Sequence, residues 1–171
     1  NPRSTVGTVT EVHDFLRLLY ARAADAYSLE TGEPMVRYSD EQIVESIERR
    51  FGNARLLLLA PLVRGRKGHY RELFDQVRRQ GYVRARVDGE IVELDSGFKV
   101  DRYKVHDIEL VIDRVVVGGE DSRLLKSVRT ALKLGKGSMS ILEHGVINPR
   151  PVHFSRNLMC PTSGIAYPDP E

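Results

Sequence analysis

Hydrophobic and polar positions alternate along this chain with two periods, and the changes of period mark its elements. Over residues 8–27, Val12, Phe15, Leu16, Leu19 and Tyr20 recur at helical spacing. Thr8 or Thr10 can cap that helix, and Glu11 suits its first turn. Gly32 and Pro34 break the pattern. "SDEQIVESIERRF" predicts a second helix, with Ser39 as N-cap, Gln42 completing a capping box and Gly52 as terminator. "ARLLLLAPLV" is a continuous apolar run and predicts a strand over 55–63, buried on both faces. "RGRKG" reads as a turn or loop. "HYRELFDQVRRQG" predicts an amphipathic helix with Tyr70, Leu73, Phe74 and Val77 on one face, closed by Gly81.

Strict alternation then takes over. "YVRARVDGEIVELD" predicts a hairpin around the two-residue turn Asp88-Gly89. On its first arm Tyr82, Arg84 and Arg86 share one face, and Val83, Ala85 and Val87 the other. "VHDIELVIDRVVV" predicts a long strand over 105–117. After the Gly118-Gly119 turn, Leu124, Leu125, Val128, Ala131, Leu132 and Leu134 predict a helix ended by Gly135, and "SMSILE" one more strand. The order β-α-β-β-β-α-β implies an α+β sandwich: a largely antiparallel sheet with two helices on one face, preceded by N-terminal helices. It is followed by an extended, proline-rich C-terminal tail from Ile147 onward.

Composition changes this picture little. The chain has 171 residues, 41% hydrophobic and 29% charged, which suits a globular domain with flanking pieces. No apolar run approaches the ~20 residues of a membrane-spanning helix, and the first residues lack the apolar core of a signal peptide. The absence of an initiator Met leads us to expect a segment of a longer protein. A single cysteine excludes a disulfide framework and fits a reducing, cytoplasmic setting.

Net charge is only +2, but Arg64, Arg66, Lys67, Arg71, Arg78, Arg79, Arg84 and Arg86 face only Glu72 and Asp75 within the same stretch. Such an excess attracts phosphate or an acidic protein surface. Among these, Arg64, Arg66, Lys67, Arg78 and Arg79 are candidate DNA-backbone contacts, which would be salt-dependent and blind to sequence.

Catalytic chemistry is hard to find. No Gly-x-x-x-x-Gly-Lys-Ser/Thr loop exists, so the segment itself is not expected to bind ATP. "GRKGHY" and "GKGSMS" have the wrong spacing, and "VVVGGEDS" lacks the lysine. His13, His69, His106, His144 and His153 form no metal-ligand spacing, and His106, beside Asp107, reads as a surface residue. Acidic residues such as Glu48 and Glu120-Asp121 fall on helices or helix starts, where carboxylates complement the dipole. We expect no catalytic residue here.

Five stretches together resemble the UvrA family, the damage-recognition ATPases of bacterial nucleotide excision repair: "NPRSTVGTVTEVHDFLRLLYAR", "LLLLAPLVRGRKGHYRELFDQVRRQGYVRARVDGEIVEL", "KVHDIELVIDRVVV", "RLLKSVRTALKLGKG" and "FSRNLMCPTSG". They run in family order over nearly the whole chain. The resemblance implies a helix of a flanking ATPase lobe over 1–25, a connector and helix over 26–54, a UvrB-binding domain over 55–149 and a return segment over 150–171. It implies UvrB as partner, with DNA contact and UvrA dimerisation belonging to the full-length protein. ATP and zinc are likewise expected elsewhere in that protein, with no cofactor in this segment.

The resemblance also assigns residues. Arg84 and Arg114 match family positions expected to contact UvrB, and a guanidinium suits that role because it pairs bidentately with carboxylates. Glu109 and Asp113 extend an alternating-charge surface along the same strand, although Asp113 faces away from Arg114 if the strand is regular. The family's zinc knuckle has two arms, Cys-Pro-x-His-Gly and Cys-Pro-x-Cys-Gly. Here they read "SLETG" and "CPTSG", which puts Ser28, Thr31, Cys160 and Ser163 at the ligand positions. Three of the four have lost their donor type, so we expect a metal-free turn that keeps the knuckle's shape.

Overall fold

A computed structural model describes residues 26–119 and 123–167. The N-terminal helix expected over 8–27 lies almost wholly outside these residues, as do His13, Glu120 and Asp121. The first described helix, α1 (Asp40–Arg50), starts as the sequence dictates. Ser39 Oγ accepts from the Gln42 N–H at 3.2 Å, and Gln42 Oε1 accepts from the Ser39 N–H at 2.9 Å. Asp40 and Glu41 stand in its first turn and Arg49 and Arg50 in its last, as the macrodipole favours. The left-handed residue after the helix is Asn53 (φ 62°), not Gly52.

Six strands form one sheet: β1 (Arg55–Lys67), β2 (Arg84–Val87), β3 (Glu90–Glu93), β4 (Val105–Val116), β5 (Ser138–Glu143) and β6 (Val152–Ser155). Their order is β3-β2-β4-β1-β5-β6, and every pair is antiparallel. Helix α2 (Arg71–Arg79) carries the chain from β1 to β2, with β4 inserted between those strands. Helix α3 (Arg123–Leu134) likewise joins β4 to β5 across β1. The architecture is the expected α+β one, with three described helices against one face rather than two, because α1 joins α3 there.

β1 lies at the centre, which is why its sequence does not alternate. Leu56 to Ala60 are all buried, even and odd positions alike. Leu56 and Leu58 pack with Ile43 and Ile47 of α1, Val128, Ala131 and Leu132 of α3, and Phe154 of β6. Farther along the same face, Ala60 and Val63 pack with Phe74 and Val77 of α2 and with Ala85, Val87, Ile108 and Leu110. Truncating a buried leucine such as Leu58 to alanine costs about 2–5 kcal/mol. Leu57, Leu59 and Leu142 form a smaller cluster on the other face with Val111, and no described helix contributes to it.

Two sequence expectations change. The "RGRK" stretch is not a loop: it continues β1, with Arg66 opposite His106 and Lys67 opposite Val105. Between Val63 and Arg66 two residues oppose Asp107 alone, a bulge in which Gly65 takes φ 60° and gives its N–H to Asp107 Oδ1 at 2.8 Å. The tail is extended as expected, but residues 152–155 become the sixth strand of the sheet and bury Phe154 completely. Beyond it, β7 (Leu158–Met159) and β8 (Ala166–Tyr167) make a separate two-stranded ribbon.

Candidate functional site

The hairpin that carries Arg84 is built by its turn. Asp88 (φ 50°) and Gly89 (φ 88°) both occupy the left-handed region, as a two-residue type I′ turn requires. Pairing of Val87 with Glu90 and Arg84 with Glu93 follows. Asp88 then fastens the turn to β4, its Oδ1 accepting from the Asp107 N–H at 2.8 Å and its Oδ2 lying 2.6 Å from His106 Nδ1. His106 Nε2 is 2.6 Å from the Asp101 carbonyl. His106 is therefore a buried pin between hairpin, strand and the 95–104 loop, not the surface residue the sequence suggested.

Register sorts the charged residues of β2 and β4 into two faces. Arg86 stands opposite Glu109, so both share a face; Ala85 and Val87 stand opposite Leu110 and Ile108 on the helix-covered side. Arg84, two residues from Arg86, is on the Arg86 face. Arg114 stands opposite Leu57, on that same face, while Asp113 stands opposite Leu58 on the helix side. Arg84 and Arg114 are thus exposed on one face of adjacent strands. Arg84 has only a marginal contact, 4.0 Å to exposed Glu93, and no described carboxylate pairs with Arg114.

The two candidate carboxylates are differently placed. Asp113 is engaged under the sheet: its Oδ2 accepts from Ser127 Oγ at 2.6 Å and sits 3.1 Å from Arg123 Nε. Glu109 shares the face of Arg84 and Arg114 but is mostly buried, bonded to Arg86 Nη1 at 2.8 Å and to Ser140 Oγ at 2.9 Å. Both spend their oxygens inside the domain. Arg86 and Ser140, which sequence reasoning passed over, belong with His153 to one polar row crossing this face on β2, β4, β5 and β6.

The basic candidates do not converge into a single patch. Arg64 and Arg66 line a cleft with Tyr70, Leu73 and Lys136 at the bulged end of β1. Lys67 is exposed at that strand's end. Arg78 and Arg79 end α2 and are absent from that cleft, and Arg78 stands 4.0 Å from Asp75 of its own helix.

The four knuckle positions do converge, although their two arms are far apart in sequence. Each arm closes with the same hydrogen bonds. Ser28 N–H donates to Glu33 O and Gly32 N–H to Ser28 O; Cys160 N–H donates to Ile165 O and Gly164 N–H to Cys160 O. Gly32 (φ 69°) and Gly164 (φ 73°) supply the left-handed turn in each. Cys160 is fully buried, with Thr31 Oγ1 at 3.3 Å from its sulfur. Burial pushes the thiol pKa up, but hydrogen bonds from Ser163, Thr31 and Ser28 outweigh it and bring the value to about 7.

Sequence reasoning missed Glu33. Its Oε2 accepts from Thr31 Oγ1 at 3.2 Å within its own arm and from Thr162 Oγ1 at 2.6 Å in the other, with Cys160 Sγ at 3.8 Å. These bonds, Thr162's first, hold its carboxyl below the usual range. A tetrahedral structural zinc site needs four thiolate, imidazole or carboxylate donors. One thiol among three hydroxyls does not fit that ion, and no cluster of three or more such ligands exists among the described residues. Nor is any described helix long and apolar enough to cross a membrane.

Residues 39–145 match the model of the UvrA interaction domain. The chain is 46% identical over 167 residues to UvrABC system protein A of Thermus thermophilus, covering 96% of this chain and 17% of that protein. It is 45% identical to the Bacillus subtilis protein of the same name (97% and 17%) and 41% identical to that of Deinococcus radiodurans (96% and 17%). The chain thus spans about a sixth of these relatives. The matched residues run from the capping box of α1 to the end of β5, and so take in both arginines and the strands that present them: the chain belongs to the UvrA interaction domain family.

Proposed function

We propose that this chain is the protein-docking part of a UvrA-type ATPase in nucleotide excision repair, and that its ligand is UvrB. One observation carries the reading. Arg84 and Arg114 stand exposed on the same face of two hydrogen-bonded strands, with no strong internal ion pair to compete for them. Rigid strands fix the backbone from which both guanidiniums project, so only the two side chains need ordering to pair with a partner's carboxylates. On this reading Glu109 and Asp113 support the sheet from within rather than touching UvrB. The ATP chemistry, the zinc, the DNA contact and the dimerisation of the parent protein belong to other parts of it.

Calorimetric titration of UvrB from the same organism tests this. Saturable binding is expected, weaker at higher salt because charged pairs set it. Arg84→Ala and Arg114→Ala should each weaken it by about tenfold or more, or ~1.4 kcal/mol. Binding that both substitutions leave intact overturns the site. The cleft lined by Arg64, Arg66 and Lys136 favours a second reading, contact with the DNA backbone. Retention on duplex DNA without UvrB binding, lost stepwise as these charges are removed, supports it instead.

A further inference from the structure

The even-numbered residues of β4 change sides along the strand. Ile108 and Leu110 are buried on the helix side, in the cluster with Phe74 and Val77. Arg114 and Val116 are exposed on the opposite face, and there the odd-numbered Val115 and Val117 are the buried ones. A bulge causes the switch. Leu58 stands opposite Asp113 and Leu59 opposite Val111, which leaves Ile112 as an extra residue in β4. Ile112 and Asp113 both lie on the helix side, Ile112 packed on both core clusters and Asp113 bonded to Ser127. In a regular strand Arg114 would share the buried face of Ile108 and Leu110. Bulges re-aim side chains in this way and are features of a sheet rather than defects.

The bulge turns more than Arg114. Val116 follows two residues on, and Arg55 of β1 stands directly opposite it. Arg55 is also two residues from Leu57, the partner of Arg114. Diagonal neighbours on adjacent strands lie about 7–8 Å apart, within reach of long side chains. Arg55 and Arg114 therefore flank Val116, which is 58% exposed. Both arginines are exposed, and neither guanidinium pairs with a carboxylate of any described residue. The acids nearest in register are committed elsewhere: Glu109 to Arg86 and Ser140, and Asp113 to Ser127 and Arg123 beneath the sheet.

Polarity selects the occupant of this end of the face. Two arginines without internal partners favour anions. A nucleic-acid backbone supplies anions but no apolar group for Val116, and it would meet exposed Glu93 beside Arg84. A protein segment supplies both kinds of contact. Protein interfaces set apolar contacts within a polar rim and are enriched in arginine.

We propose that the docking face continues past Arg114 to Val116 and Arg55, and that this end receives an acidic segment of the partner, an apolar side chain seated on Val116 between carboxylates on the two arginines. The proposal rests on the docking reading above, and its test separates the two. UvrB is titrated into variants of the 171-residue chain. Arg55→Gln should weaken binding about tenfold, and Arg55→Lys by less, because it keeps the charge but not the fork. Val116→Asp should weaken binding at least as much as Arg55→Gln. Lys126→Gln removes an exposed charge on α3 and should stay within about twofold of wild type. Unchanged urea midpoints assign these losses to binding. Wild-type affinity in Arg55→Gln and Val116→Asp, with Arg114→Ala weakened, overturns this proposal alone. A loss in Lys126→Gln as large as in Arg55→Gln overturns it too, because net charge then explains both. Duplex DNA bound by wild type and released by Arg55→Gln overturns the protein segment as occupant. Failure of wild type to bind UvrB removes the docking reading, and this proposal with it.

Discussion

Both ring nitrogens of His106 face acceptors, the Asp88 carboxylate at 2.6 Å and the Asp101 carbonyl at 2.6 Å. Only an imidazolium can donate to both at once. The geometry therefore assigns a charged His106. The Asp88 carboxylate, then the Asp101 carbonyl, raise its pKa above the ordinary 6.5, against the desolvation that burial imposes.

A folded-state pKa above the unfolded one gives stabilisation that is fully present below about pH 6.5 and lost as pH rises through the folded value. In urea unfolding the stability of wild type over His106→Ala should be larger at pH 6 than at pH 9, a difference that cancels the Cys160 thiol, whose lowered pKa adds stability as pH rises above about 7. Asp88→Asn keeps the left-handed turn but removes the anion, and should flatten this dependence. His106→Ala should cost about 2 kcal/mol through two lost hydrogen bonds. Equal stability of wild type and His106→Ala across that pH range would refute the pin.

The adjacent residues Asp113 and Arg114 separate stability from docking. Asp113→Ala removes the acceptor of Ser127 and Arg123, on the helix side, and should lower stability by about 1–2 kcal/mol. Arg114→Ala removes an exposed side chain and should change stability by less than about 0.5 kcal/mol. The UvrB titration should reverse the order, with Arg114→Ala damaging and Asp113→Ala nearly neutral. A destabilised Arg114→Ala variant would mean that this guanidinium is part of the fold.

Glu109→Gln probes the polar row of that face. It leaves the Arg86 guanidinium mostly buried beside a neutral amide. Breaking one partner of such a pair is costly, and its residual exposure reduces the figure to about 2 kcal/mol. Denaturant midpoints of Glu109→Gln and of the double variant Glu109→Gln/Arg86→Met measure it. The double variant should recover part of the loss, because no uncompensated charge remains.

What could be read from the sequence was local. The capping box of Ser39 and Gln42, the Asp88-Gly89 turn and the apolar run of β1 each act within a few residues, and each formed as its pattern dictates. Features that depend on distant partners could not be read this way. "RGRK" carries the charge and glycine of a loop, yet β4 supplies its hydrogen bonds and Asp107 stabilises its bulge. His106 looks exposed until the turn 18 residues upstream folds back on it. The tail looks like loop because β6 becomes a strand only against β5. The knuckle positions were legible through family resemblance alone, and Glu33 was missed because it is no ligand position and gains meaning only from Thr162.

The convergence of the knuckle positions makes the last prediction. Hydroxyls, a buried thiol and the Glu33 carboxylate join two arms that would otherwise need a metal. Because the Glu33 pKa is lowered, its contribution is present above the ordinary carboxylate value of 4.5 and lost as pH falls through the folded value. Glu33→Gln should therefore loosen the arms at neutral pH and change little in acid, read as faster amide exchange at Cys160 and Gly164. If the backbone is still a knuckle, restoring the donors should restore the ion. Ser28→Cys, Thr31→His and Ser163→Cys together with native Cys160 give three sulfurs and an imidazole, a set that suits tetrahedral zinc. Cobalt(II) added to the triple variant should show the absorption bands of a tetrahedral thiolate site, and zinc should displace it at one equivalent. Wild type should show neither. Octahedral or absent binding in the triple variant would mean that the hydroxyl network has moved the arms out of ligand geometry.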